Sequence, residues 1–165
     1  MSWKKIGTII GLNLILLGCL AVNAPVAQKV QPDEQIGQML PVTAKANFRQ
    51  AVIELEVALT QQQQAMGLMY RTSLSENRGM LFPFNEARYA QFWMMNVTIP
   101  LDMLFIRDGV IEAIYSNVPP CAAEPCPTYG PPTLIDQVIE LRGGRATELG
   151  LKKGDPVNIT YLSKQ

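Results

Sequence analysis

The run QFWMMNVTIPLDMLF, Gln91 to Phe105, is densely apolar, yet it holds Asn96 and Asp102 at fixed places near Trp93. An amide and a carboxylate close to an indole suit recognition of a polar ligand, or acid–base work. Arg71 supplies a candidate counter-charge, paired with Asp102 or holding a ligand jointly with it. One expectation is therefore a ligand-binding surface made of Arg71, Trp93, Asn96 and Asp102. The enzyme alternative pairs Asp102 with Asp155 as catalytic acids, because a two-carboxylate hydrolase needs them about 5–10 Å apart across a cleft. The plainer expectation is structural. Pro100 removes a ladder hydrogen bond two residues before Asp102, so the strand should bulge there. Asn and Asp side chains commonly satisfy backbone groups at such places.

Methionine and the aromatics raise further candidates. Met66, Met69, Met80, Met94, Met95 and Met103 fall within one stretch. Thioethers suit Cu(I), whereas Met also fills irregular gaps in a small core. Met94 and Met95 must point to opposite faces of a strand, which favours core packing and no metal. Phe92 and Trp93 cannot both face inward on a regular strand, so one of them is an exposed candidate for binding. The chain contains no histidine, which removes Ser-His-Asp and Cys-His catalysis and the commonest zinc ligand. Lys plus Arg equals Asp plus Glu at 14 each, so no basic face advertises nucleic acid. The residues point to no cofactor, and a noncatalytic role is preferred.

The N-terminus has the layout of an export segment. Lys4 and Lys5 precede an apolar run from Ile6 to Val22. That run is slightly short for a spanning helix, which needs about 20 apolar residues. Leu16-Leu17-Gly18-Cys19 resembles a bacterial lipoprotein box, in which Cys19 would carry the lipid. Cleavage, lipidation and a retained anchor all place the later residues outside the cytoplasm. The expected organisation is a signal or anchor over 1–23, a flexible tether over 24–38 and one globular domain over 39–165. The expected location is the periplasmic side of a membrane, with an envelope ligand or protein as partner. Cys121 and Cys126 remain in PPCAAEPCPTYG. In an oxidising compartment they read as a disulfide closing a small loop. They are too few ligands for structural zinc, and a redox pair normally has C-x-x-C spacing.

These residues need a scaffold to position them. Ile53, Leu55, Val57 and Leu59 alternate with Glu54, Glu56 and Ala58, as in a half-buried strand. Thr60 and Gln63 have capping-box spacing, which predicts a helix that Gly67 keeps short. Strands are predicted over 79–84, 88–94, 104–106, 110–115, 134–141 and 157–162. Asp108-Gly109 between two apolar runs predicts a hairpin. Residues before Gly150 offer one short helical turn. The total predicts a mainly β, α+β domain: a compact antiparallel sandwich or partly open barrel with one or two short helices.

In order, the segments LEVALT, GLMYR, GMLFPF, FWMMNVTIPLDMLFI, PCPTY and LKKGD resemble domain of unknown function family 192, also called uncharacterised protein family 0127. The resemblance runs from about Met39 to Leu162. The family pattern W-M-K-N-T meets Trp93-Met94-Met95-Asn96-Val97 here, so its Lys and Thr are replaced. The resemblance implies a small β-rich globule, often exported or membrane-tethered, and names no reaction.

Overall fold

The computed structural model describes residues 36–49 and 51–162. The export segment, Cys19 and all of the expected tether before Ile36 lie outside the described residues. Nine strands and two short helices follow in the order β1 (Val42–Asn47), β2 (Val52–Val57), α1 (Gln61–Met66), β3 (Arg78–Arg88), β4 (Phe92–Trp93), β5 (Leu101–Arg107), β6 (Val110–Val118), β7 (Thr128–Tyr129), β8 (Ile135–Arg142), α2 (Arg145–Glu148) and β9 (Asn158–Tyr161). Seven strands make one sheet ordered β6-β5-β8-β3-β2-β1-β9, and β4 pairs with β7 in a second, small sheet.

The β-rich α+β expectation holds, but the main sheet is mixed rather than antiparallel. β2 and β3 run parallel, with Leu55 opposite Gly79 and Val57 opposite Leu81. A parallel pair needs a crossover, and α1 provides it. Thr60 caps α1 through its hydroxyl while the Gln63 side chain returns to the Thr60 N–H, the full capping box. The edges of the sheet approach each other. The Ile111 N–H donates to the Asp155 carbonyl at 3.0 Å and the Val157 N–H to the Gly109 carbonyl at 2.8 Å. A single bridge, Val110 to Pro156, joins them. The sheet thus curls into a partly open barrel joined at this one bridge, and among the described residues no second large sheet forms a sandwich with it.

Both faces of the sheet are covered. Ile53, Leu55, Leu104, Ile106, Ile139 and Leu141 build the inner core. Met80, Phe82, Met94, Met103, Phe105 and Val138 build the outer one. Period-two alternation assigns neighbouring residues to opposite cores, so β5 is buried along nearly its whole length. Rings on the outer face meet edge to face. Phe82 packs on Phe92 at 5.0 Å between centroids, Phe92 on Phe105 at 5.8 Å, and the series continues through Tyr115 to Tyr129. Cys121 and Cys126 are bonded, closing the loop before β7.

Local departures have simple causes. β1 was not expected, because its core positions are only Ala44 and Ala46, which give weak alternation. Leu59 is exposed because β2 ends at Val57 and the chain turns into α1. The strand expected over 88–94 is broken. β3 runs on to Arg88, and only Phe92 and Trp93 pair again, with β7. The Asp-Gly hairpin forms with φ of 49° at Asp108 and 73° at Gly109, as a tight two-residue turn requires.

Asp102 is fully buried at the start of β5, where the β5–β6 register shifts between Leu101 and Met103. One of its oxygens accepts from the N–H of Asn117 at 2.6 Å and of Gly144 at 2.9 Å. The other accepts from the Ala146 N–H at 2.6 Å. The N-cap of α2 is Gly144 in the left-handed region, without a side chain to cap the helix. Asp102 supplies that cap from another strand.

Two stability predictions follow from these contacts. Asp102→Ala strips the acceptor from three N–H groups, at about 1–3 kcal/mol for each orphaned group. A loss of about 3 kcal/mol or more is expected, read as a lower urea midpoint at unchanged slope. Replacing Cys121 and Cys126 together by Ala should cost about 2 kcal/mol in the same assay, the entropy of so short a closed loop.

Candidate functional site

A pocket of about 430 Å³ opens on the outer face of the sheet. Its origin is a gap in strand pairing. β2 leaves β3 after Val57, so the second half of β3 lacks a neighbour on that side. Pro83 sits in this half, where a missing N–H costs no ladder bond. α1 fills part of the gap. The Gln64 side-chain amide donates to the Ala58 carbonyl at 3.2 Å and the Pro83 carbonyl at 2.9 Å, tying the helix to β3. Gln38 donates to the carbonyls of Gln63 at 2.8 Å and Gly67 at 2.9 Å, fixing the far end of the helix. These bonds hold the cleft open.

Apolar and polarisable groups dominate the lining. Phe82, Phe84, Phe92 and Trp93 contribute rings, and Met66, Met69 and Met95 contribute thioethers. Trp93 remains 47% exposed while Phe92 is half-buried, so one ring of the pair does face outward. Met95 and Val97, the two departures from the family pattern, both line the pocket. Arg88 lies at its edge with the guanidinium carbon 3.9 Å from the centroid of the Phe84 ring. Neutral amides of Gln61, Gln64 and Gln91 complete the rim.

Glu140 is the one acid in this lining. It is 4% exposed and makes no hydrogen bond or ion pair to any described residue. Burial pushes its carboxyl from the usual 4.5 up to about 8. Sequence reasoning missed it. The signal was available in QVIELR, where Glu140 shares a strand face with Val138 while Ile139 and Leu141 take the other.

The residues singled out from the sequence do not form one site. Trp93 lies on the pocket. Asn96 occupies a left-handed turn with φ of 57°, where its carbonyl accepts from the Tyr70 N–H at 2.8 Å. Arg71 pairs with Glu56 at 2.6 Å, not with Asp102. Glu56 also accepts from the Leu40 N–H at 2.8 Å and lies 3.5 Å from Arg78. Asp102 is consumed by backbone donors. Asp155 accepts from the Lys152 N–H at 3.0 Å, closing a turn beside Ile111. Ile111 and Asn117 mark opposite ends of β6, and that length of strand is about 20 Å. Asp102 and Asp155 are therefore too far apart for a paired-carboxylate hydrolase. Among the methionines, Met80, Met94 and Met103 are packed in the outer core, while Met66, Met69 and Met95 reach the pocket. No group of three His, Cys, Asp or Glu suited to a metal occurs among the described residues. No helix among them is long and apolar enough to cross a membrane.

The titration of Glu140 has a definite sign. Its folded value is raised, so below about pH 4.5 the carboxyl is protonated in both states and its titration takes nothing from folding. As pH rises, Glu140 ionises in the unfolded chain while the folded one keeps its proton, so this group's contribution to stability falls until about pH 8. Glu140→Gln removes this group's share of the pH dependence. The variant should melt on the order of 5–10 °C above wild type at pH 8, with little difference near pH 4.5, in calorimetric scans across the range.

The comparisons with known proteins fit this architecture. The chain matches the model of the DUF192 family, described as Uncharacterized ACR, over residues 42–159. A solved structure from Sinorhizobium meliloti 1021, named as a candidate transcription regulator, is 34% identical with a TM-score of 0.63. The match covers 70% of this chain and 90% of that one. A protein of unknown function from Novosphingobium aromaticivorans DSM 12444 matches with the same identity and TM-score, over 70% of this chain and 83% of that one. No curated protein matches the chain. With the family match running from the first strand of the sheet into the last, the chain belongs to the DUF192 family.

Proposed function

We propose that this protein is a noncatalytic binding module of the cell envelope, and that its site is the pocket between α1, β3 and β4. The observation that carries the reading is a cleft already held open, walled by aromatic rings and thioethers, with one acid inside it that has no partner among the described residues. Such a lining is typical of small-molecule sites, which are largely apolar with a few placed polar groups. The envelope location rests on the export-like N-terminus and is supported by the Cys121–Cys126 disulfide, a bond favoured by oxidising compartments. The membrane tether and any lipid on Cys19 belong to this proposal.

Regulation of transcription, the role in the name of the Sinorhizobium relative, draws no support from this chain. The described helices span six and four residues. The net charge is +0, which offers little to a phosphate backbone. A second reading is Cu(I) binding, favoured by the three thioethers of Met66, Met69 and Met95 on one pocket.

A thermal-shift screen of the full chain with small amphipathic molecules, envelope sugars, peptides and Cu(I) tests the proposal. A ligand of this pocket should raise the melting point of the wild type. Trp93→Ala should weaken its binding by about tenfold or more, as expected for an aromatic anchor. A compound that stabilises both proteins equally binds elsewhere. Cu(I) stabilisation lost in a Met66→Leu, Met69→Leu, Met95→Leu triple variant would replace the first reading with the second.

A further inference from the structure

Two acids share one row across the outer face of the sheet. The paired positions run Tyr115, Met103, Glu140, Met80, Glu56 through four adjacent strand pairs. Glu56 is given Arg71 at 2.6 Å, the Leu40 N–H at 2.8 Å and Arg78 at 3.5 Å. Glu140, separated from it by Met80, is given nothing among the described residues. A buried carboxyl without a partner is costly, and buried polar groups are normally bonded. Among the described residues this carboxyl has no partner, and it opens onto a pocket, so a partner entering from solvent would satisfy it.

The surroundings select the chemistry of that partner. The faces of aromatic rings are electron-rich and attract cations. The chain already uses one this way, with Arg88 on Phe84 at 3.9 Å. An anionic ligand would meet both these faces and the acid. The other charged groups on this side are engaged elsewhere. Arg71 and Arg78 are held by Glu56, Arg142 by Glu148 at 2.6 Å, and Arg88 sits at the mouth on Phe84. Tyr115 and Tyr129 are the neighbouring titratable rings, packed against each other.

We infer that the pocket takes an organic ammonium ion, with its charged nitrogen against Glu140 and its carbon skeleton among Phe82, Phe92 and Trp93. This rests on the reading of the pocket as a binding site and names the class of ligand for it. Binding an ammonium requires the carboxylate form. Because burial holds the empty site protonated up to about pH 8, each binding event expels a proton to solvent. Affinity therefore rises with pH, about tenfold per unit, and levels off near pH 8.

Isothermal titration of the full chain with benzylammonium, benzyl alcohol and phenylacetate, from about pH 5 to about pH 8, tests the inference. Benzylammonium should bind tightest, gain affinity with pH, and release one proton, shown by different apparent enthalpies in phosphate and Tris. Glu140→Gln should lose about tenfold or more for benzylammonium at pH 8, abolish the proton release, and leave benzyl alcohol unchanged. The variant relieves a buried acid, so failure to fold is not expected to obscure the result. If benzyl alcohol or phenylacetate binds as tightly as benzylammonium, or affinity is flat with pH, while Trp93→Ala weakens binding, the ammonium inference falls and the pocket reading stands. If none of the three binds saturably, both fall.

Discussion

Burying an ionised carboxyl in a sheet covered on both faces costs several kcal/mol unless bonds replace its lost water, and the described residues bury three acids, Glu56, Asp102 and Glu140. Each occupies a strand of the main sheet, and each is treated differently. Asp102 faces the inner core and collects three backbone N–H groups. Those donors come from the end of β6 and the start of α2, so one side chain holds three separate segments in place. Glu56 faces the outer core and collects two guanidinium groups and an N–H. Through Leu40 and Arg71 it draws in the chain before β1 and the turn after α1. Asp102 ties α2 to β5, and Glu56 ties the turn after α1 to β2, links that no strand ladder provides.

The pocket follows from the same sheet. β2 must stop beside Leu81 for the chain to cross over through α1, and β3 then continues alone toward Arg88. Part of that exposed edge is satisfied by the Gln64 amide, which donates to the Pro83 carbonyl. The rest of the outer face is roofed by Phe92 and Trp93, held in place by β7 and the disulfide loop behind it. Between helix and roof, a ladder partner is replaced by open space. The cleft is the consequence of a parallel crossover whose helix is too short to cover the strand it accompanies.

Local chemistry was legible in the sequence where it is local in space. The capping box at Thr60, the Asp108-Gly109 turn, the alternation of Ile53, Leu55 and Val57, and the closeness of the two cysteines all depend on residues within a few positions of one another. The parallel β2–β3 pairing was not legible, because short apolar strands do not state their direction. Nor was the Arg71–Glu56 pair, since nothing in either segment says that the turn after α1 folds back over β2. Asp102 drew attention because of Pro100, and the proline does mark an irregular strand start. Its donors, however, lie 15 to 44 residues away. Glu140 escaped notice for the opposite reason. Glu in an amphipathic strand reads as the solvent face, and only the cover over the outer face turns that position into an interior one.

On the proposed reading, Glu140 separates stability from binding within one strand. Gln or Met in its place would fill the same volume without a charge to desolvate, so the fold itself gives no reason for an acid there. Its neighbours in the row, Met80 and Met103, show the apolar solution that the outer core uses on either side. Structural acids in this domain are recognisable by their bonds, and an acid with none is recognisable by what it faces. A group that weakens the empty protein as it ionises, and would be relieved by a cation at the same place, couples occupancy of the pocket to stability of the sheet beneath it. The cost of leaving the site vacant is then carried by β8, a central strand paired with both β3 and β5.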